Sequence, residues 1–329
     1  MRVKLKNFLF ILGIFISSSG VSFASNVYVY PPSYMPPYYA GTLRYEVIMP
    51  ALNELNYIRR LMGLPDVVLS EEYTRRAQHG AVLLDILNTL THTPSKPTDM
   101  NPEFYALAYD ATTHGNLATR QQIMRGNAYG AISLIQSIRD YMNDSDAYNI
   151  SELGHRRWLM NPRMRYTGFG LSTRRGYASM YVIEEFGKSG KLTKSEYNQY
   201  LQWMKWPVNY EFVTWPVNMN LHPLVYFDAE TAWCVVLNKD VFDKCNINSV
   251  QVKLIRLRDG GTWRFSSKQS DGYFGISDGS IAYDECIIFR PMNVGGYGHY
   301  ERWRVEVSGL KRKNKKGKWA ITYDVTFTR

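Results

Sequence analysis

The stretch Glu152-Leu153-Gly154-His155-Arg156-Arg157-Trp158-Leu159-Met160-Asn161-Pro162, leading on to Gly168-Phe169-Gly170, decides how this chain reads. It sets a histidine one residue after a glycine and directly before two arginines and an apolar run. A carboxylate, Glu152, lies three residues upstream, one turn away if the segment is helical. Packing alone does not call for this order. It suggests an imidazole presented beside a carboxylate at the mouth of a cleft. Trp158 and Leu159 read as core. Arg156 and Arg157 read as partners in structural ion pairs, or as stems that cover helix surface.

Upstream of this stretch the periodicity is helical. Tyr45 to Met62 places Ile48, Leu52, Leu55 and Ile58 at helical spacing, and Gly63-Leu64-Pro65 ends it. Ser70 can cap a second helix, with Glu71 and Glu72 in its positive first turn. Tyr73, Ala77, Ala81, Leu84 and Leu87 carry one face toward His92. Prolines at 94, 97 and 102 break the pattern. Arg120 to Tyr141 reads helical again. Tyr166–Leu171 and Tyr177–Ile183 alternate like strands about a turn at Thr173-Arg174-Arg175-Gly176.

Downstream the texture changes. Trp206-Pro207 to Trp215-Pro216 reads as a connector. Short strand-like runs follow at Ala232–Leu237, Ser249–Leu257, Thr262–Ser266, Ala282–Phe289, Trp303–Val307 and Trp319–Phe327. Turn signals such as Asp259-Gly260-Gly261 separate them. The expectation is an α+β chain: a layered helix-then-strand domain, then an all-β sandwich of immunoglobulin or fibronectin type.

The N-terminus reads as a secretory leader. Arg2, Lys4 and Lys6 form a basic region, Phe8–Ile16 an apolar one, and Ser22 and Ala24 supply the small residues for cleavage after Ala24. Residues 25–43 are rich in proline and tyrosine and read as an extended spacer or strap. The expected layout is a signal at 1–24, the spacer at 25–43, a first domain at 44–206 and a sandwich at 207–329. The formal charge of +10 falls to near +7 without the three leader cations. That balance favours anionic surfaces such as wall polymer or lipid headgroups over nucleic acid, for which no reading module is present. No transmembrane segment is expected after leader removal. Cys234, Cys245 and Cys286 allow at most one disulfide, and spacing does not say which.

Of six histidines, His92, His114 and His155 lie between the helical segments of the first domain. Three imidazoles, or two plus a carboxylate, with an open position are the usual recipe for a catalytic or exchangeable zinc site. Each alone is more simply a hydrogen-bonded histidine near a helix end.

The pieces of the first domain together resemble the CAP superfamily, the fold of sperm-coating proteins, plant pathogenesis-related proteins and cysteine-rich venom proteins, in its bacterial branch. They are Leu52-Asn53-Glu54-Leu55-Asn56-Tyr57-Ile58-Arg59 with Gly63-Leu64-Pro65, the helix ending in Thr91-His92-Thr93, Gly115-Asn116-Leu117-Ala118, Tyr141-Met142-Asn143-Asp144, and the opening stretch with its Gly168-Phe169-Gly170. The resemblance implies a three-layer α-β-α sandwich. It also implies a cleft with two histidines and two acids, the histidines able to take a divalent metal such as zinc. His92 and His155 fall on the histidine positions. Gly115 stands where the first acid belongs, with His114 one residue earlier. Asp144 or Glu152 falls near the second acid. The C-terminal part resembles the β-sandwich that often follows such a domain.

The function this implies is a secreted protein, extracellular or periplasmic, that binds a lipid, a cell-wall component or a protein partner, with zinc as the candidate cofactor of its cleft. The rival is a metal-dependent extracellular hydrolase or protease in the same cleft, with Asp144 or Glu152 as base. Lys311, Arg312, Lys313, Lys315, Lys316 and Lys318 form a basic run between two strand-like segments, either a solvated hairpin tip or a surface anchor.

Overall fold

A computed structural model describes residues 27–119, 134–183, 210–218 and 221–329. The leader expected at 1–24, the start of the helix expected from Arg120, and the domain boundary expected near 206 lie outside these residues.

Helix α1 spans Tyr45–Leu61, and Gly63 beyond it takes a φ of 70°. Helix α2 spans Glu71–Leu87; the Ser70 hydroxyl accepts from the Tyr73 N–H at 3.2 Å, with Glu71 and Glu72 in the first turn. Asn88 closes it in the left-handed conformation, φ 53°. Helix α3 spans Pro102–Thr113, a helix the sequence pattern did not show. The prolines and polar residues at 94–102 are its approach: Asn101 caps Glu103 N–H at 2.7 Å, and Pro102 opens the first turn. Helix α4 covers Leu134–Asn143 and α5 covers Gly154–Leu159.

Numbering strands along the chain, β1 is Tyr28–Tyr30, β2 Thr42–Leu43, β3 Val68–Leu69, β4 Gly115–Thr119, β5 Tyr166–Ser172 and β6 Tyr177–Tyr181. The central sheet of this domain has the order β3-β5-β6-β4. The β5–β6 hairpin forms as its alternation predicts, with Gly168 opposite Tyr181. Strand β4 pairs antiparallel with β6, and β3 runs parallel to β5.

Alternation along β5 makes the layers. Phe169 and Leu171 enter the core that holds Leu52, Leu55 and Ile58 of α1. Gly168 and Gly170 face the opposite way, against α2. A Cβ on Gly168 would run into the Tyr73–Thr74 backbone, and one on Gly170 into the Ala77–Gln78 backbone. The two glycines therefore let the helix main chain lie directly on the strand. Buried Gln78 joins the two layers: its side chain donates to Ala40 O and Leu171 O and accepts from Leu171 N–H.

The proline- and tyrosine-rich segment is a strap on this domain. Strand β1 pairs with β2, Val27 and Tyr28 are buried, and the Tyr28 hydroxyl donates to Leu171 O at 3.1 Å. The Tyr34 ring carries the Arg174 guanidinium at 4.0 Å.

The C-terminal half is a β-sandwich. One sheet, in the order β12-β13-β9-β7, uses Gly272–Ser277, Glu285–Pro291, Trp233–Leu237 and Phe212–Trp215 respectively. The other, β11-β10-β14-β15-β8, uses Thr262–Phe265, Gln251–Arg256, Arg302–Leu310, Trp319–Thr328 and Leu221–Pro223. Aromatic residues fill the space between: Trp233 meets Trp303 and Phe327, and Phe265 meets Phe289. Strand β7 corrects the reading of the segment before Pro216 as a connector, since its last residues are sheet. Strand β12 was not expected either, because glycine and aromatic residues blur its alternation. One continuous apolar core runs from α1 through the first domain into the sandwich. All three cysteines are free thiols, Cys234 and Cys286 buried and Cys245 half-buried. Among the described residues no helix is long and apolar enough to cross a membrane.

Substituting Gly170→Ala is expected to destabilise the chain by about 1–3 kcal/mol, measured as a lower denaturant midpoint with unchanged slope. A second expectation concerns acid. Burial among Trp215, Phe227 and Phe327 holds the His222 imidazole down to about 3. The unfolded chain binds that proton from about pH 6.5 downward and the folded chain does not. This part of the stability is thus full above about pH 6.5 and declines as pH falls toward 3. Replacing His222→Asn is expected to flatten the pH dependence of the unfolding free energy in that window.

Candidate functional site

His155 is the second residue of α5. Its Nδ1 lies 2.7 Å from Asp144 Oδ1, and the Asp144 side chain is only 2% exposed. The second oxygen, Oδ2, accepts from the Arg156 N–H at 3.2 Å. An ionised carboxylate only accepts, so His155 Nδ1 carries a proton, and the lone pair of the uncharged tautomer falls on Nε2. The ring is held from other sides as well. Tyr141 stacks on it with centroids 5.4 Å apart. The Tyr141 hydroxyl donates to Asn116 O at 3.0 Å, and the Asn116 amide donates to His155 O at 2.9 Å. Asp144 and Leu153 both sit at positive φ, 42° and 48°. For Leu153 that costs about 1–2 kcal/mol, held in place by the surrounding packing.

His92 lies on an exposed loop, and its Nδ1 is 2.7 Å from Thr112 O. A carbonyl oxygen also only accepts, so His92 too carries its proton on Nδ1. The two histidines are thus fastened to one short segment, His92 to Thr112 at the end of α3 and His155 to Asn116 in β4. Between these anchors lies Gly115, where the resemblance asks for an acid. A Cβ there would come within 2.5 Å of Ala111 O and 3.0 Å of Met180 O, so a carboxylate side chain has no room to start. Among the described residues no group of three or more His, Cys, Asp or Glu side chains is arranged to hold a metal ion.

His114 belongs to a different cluster. Its Nδ1 faces Asp110, 2.8 Å from the carbonyl oxygen and 3.2 Å from Oδ1. Asp110 also receives Arg76 at 2.6 Å and the Tyr181 hydroxyl at 3.1 Å, and Tyr181 stacks on Tyr73. Burial pushes the Asp110 carboxyl up, but His114 and Arg76 more than offset this and hold it below the usual carboxylate range. This network ties α2, α3 and β6 together. Sequence reading missed it because its members come from elements that meet only in the fold. Glu152 also turns away from His155. Its carboxylate accepts from the Ser277 hydroxyl of the sandwich and stands 3.6 Å from Arg157 Nη1.

Arg156 and Arg157 point out of the site's back into the second domain. Arg156 donates to Met142 O, Asn143 O and Ser145 Oγ on its own side and to Ala232 O of the sandwich at 2.7 Å. Arg157 donates to Asp278 O at 2.6 Å, Ile281 O at 2.7 Å and Asp284 O at 2.6 Å, and to the Ser277 hydroxyl. Arg156 Nη1 is also 3.7 Å from Cys234 Sγ. Burial raises the Cys234 thiol, but hydrogen bonding with Cys286 and the nearby Arg156 charge bring it below the usual thiol range. Arg290 returns the contact from the sandwich, donating to Ser145 O at 2.8 Å. A cleft of about 460 Å³ opens beside Asp144, lined by Asp140 and Asp146 of the first domain and Glu230 and Arg290 of the second.

In the basic run, Lys311, Lys313, Lys315, Lys316 and Lys318 are exposed. Arg312 is half-buried and paired with Glu211 at 2.5 Å, so it fastens the hairpin and is not one of its free charges.

Truncating Arg157→Ala would leave several buried carbonyl oxygens without a donor. It is expected to cost at least about 3 kcal/mol of stability and to open the β12–β13 connection to limited proteolysis.

Searches of curated proteins and of solved structures returned no match. A family model does match, that of the cysteine-rich secretory protein family, CAP, over residues 52–186. The matched span holds His92, His114, Gly115, Asp144 and His155, and stops before the β-sandwich. The three-layer arrangement and the match agree: the chain carries a CAP domain at residues 52–186.

Proposed function

We propose that this protein works outside the cell as a binding protein, and that its CAP domain offers the Nε2 atoms of His92 and His155 to a ligand or to a zinc ion. The observation that carries this reading is the 2.7 Å bond from His155 Nδ1 to a carboxylate that is itself buried. A carboxylate behind an imidazole fixes its tautomer and the orientation of its ring, the usual support of a ligating histidine. His92 reaches the same tautomer through Thr112 O. Proteins with this domain are commonly secreted, which agrees with the leader-like N-terminus.

Two imidazoles leave the remaining positions of a tetrahedral ion to water or to a ligand's own donor, so zinc held here would be exchangeable. The hydrolase reading is less well supported. It needs a carboxylate free to take a proton from water. Both Asp144 oxygens are engaged, Glu152 faces Ser277 and Arg157, and position 115 has no space for an acid.

Zinc titration by calorimetry tests the proposal. His92→Ala and His155→Ala should each weaken binding at least tenfold, and Asp144→Asn should weaken it about 10–100-fold by loosening the imidazole behind the metal. Unchanged zinc affinity in both alanine variants removes the paired-histidine reading. No turnover of a peptide or ester library is expected from the wild type; turnover abolished by the same variants would restore the hydrolase.

A further inference from the structure

The sequence from Leu310 to Trp319 closes the β14–β15 hairpin with Lys311-Arg312-Lys313-Asn314-Lys315-Lys316-Gly317-Lys318. The five lysines are exposed, and among the described residues none of them makes an ion pair. The loop that carries them is fixed at its base. Asp243 N–H donates to Lys311 O at 3.0 Å and Lys313 N–H donates to Val241 O at 2.9 Å. Arg312 pairs with Glu211 and lies 4.7 Å from the Trp319 ring centroid and 5.8 Å from that of Phe242. Asn314 and Gly317, at φ 61° and 96°, turn the chain between these anchors.

Elsewhere on this protein arginine and lysine commonly meet carboxylates: Arg60 with Asp66, Arg304 with Asp324, Lys253 with Glu306. The hairpin is built differently. Its single arginine is spent inward, holding the base, and its ammonium groups are left as a concentrated positive field. Mutual repulsion among them opposes folding and is relieved by an external array of negative charge. Lysine heads are compact, hydrated point charges on flexible stems, without the rigid fork that reads one fixed phosphate. On a protruding tip those stems can settle onto one plane of anions. Trp319, 37% exposed and with Lys315 Nζ 5.3 Å from its ring centroid, adds an amphipathic ring at the foot of the tip.

We propose that this hairpin is a docking tip for an anionic lipid surface, which holds the protein by electrostatic attraction without insertion. It is separate from the histidine cleft, so either reading can fail without the other.

Flotation with vesicles tests it, using the chain from Ser25 onward, which keeps every described residue and removes the apolar leader run that would itself enter a bilayer. Vesicles of neutral phosphatidylcholine, alone or with about a third phosphatidylglycerol, are compared. Binding to the anionic vesicles only is expected, falling as salt shortens the Debye length. Each Lys→Gln change in the hairpin should lower partition about fivefold, and the variant with Lys311, Lys313, Lys315, Lys316 and Lys318 all changed to Gln should not bind. A control that removes three positive charges elsewhere, with Lys96, Lys239 and Lys268 changed to Gln, should stay near wild type where three such changes in the hairpin lower partition, and all variants should melt alike. Anionic binding that survives in the five-lysine variant, equal binding to neutral vesicles, or no binding at all overturns the proposal. Capture by soluble polyglycerol phosphate without vesicle binding overturns it too, and gives the tip to a wall polymer.

Discussion

A guanidinium taken out of water must be resolvated by the protein, and Arg156 and Arg157, at 0% and 1% exposure, meet that demand across the line between the two domains. Each collects backbone oxygens, and some of those oxygens belong to the sandwich. Ala232, Asp278, Ile281 and Asp284 lend carbonyls that no apolar side chain could use. The six residues of α5 are therefore placed by the second domain as much as by the first. A third buried arginine, Arg59, repeats the device inside the first domain, taking Leu159 O at the end of α5 and Asn161 O just beyond it.

His155 inherits this placement. It precedes the two arginines by one and two residues, and Asp144 bonds both its ring and the Arg156 N–H. The short stretch from Asn143 to Ser145 thus serves the imidazole on one side and the domain contact on the other. The sandwich is then part of what fixes the site's geometry. A second link agrees with this: Glu54 of α1 binds Arg139 of α4 and accepts from the Tyr226 hydroxyl of the sandwich.

Much of the fold was legible because its signals are local. The spacing of Leu52, Leu55 and Ile58, the cap at Ser70 and the turn at 173–176 each act within a few residues, and α1, α2 and the β5–β6 hairpin follow from them. Helix α3 was not legible, since its apolar face is short and its capping prolines look like a break. Strand β7 was hidden by the prolines that flank it. The histidines were picked out by their motif positions, yet for the acid the sequence left Glu152 as a rival to Asp144. Only distance separates them, 2.7 Å from His155 for one and a turn toward Ser277 for the other.

By itself the sequence determined a layered α+β domain followed by strands, a pair of motif histidines, an empty acidic position at Gly115 and a basic run near the C-terminus. Each of these depends on residue type, spacing or short-range periodicity, which a linear reading contains. The tertiary structure decided which acid holds His155, why position 115 has no room for one, where His114 and Arg312 spend their charge, and that the GHRRWL segment joins the two domains. Those outcomes turn on bonds between residues as far apart as Arg157 and Asp284. Burial raises the cost of every unpaired polar group, and only the folded chain shows which distant partners are there to meet it.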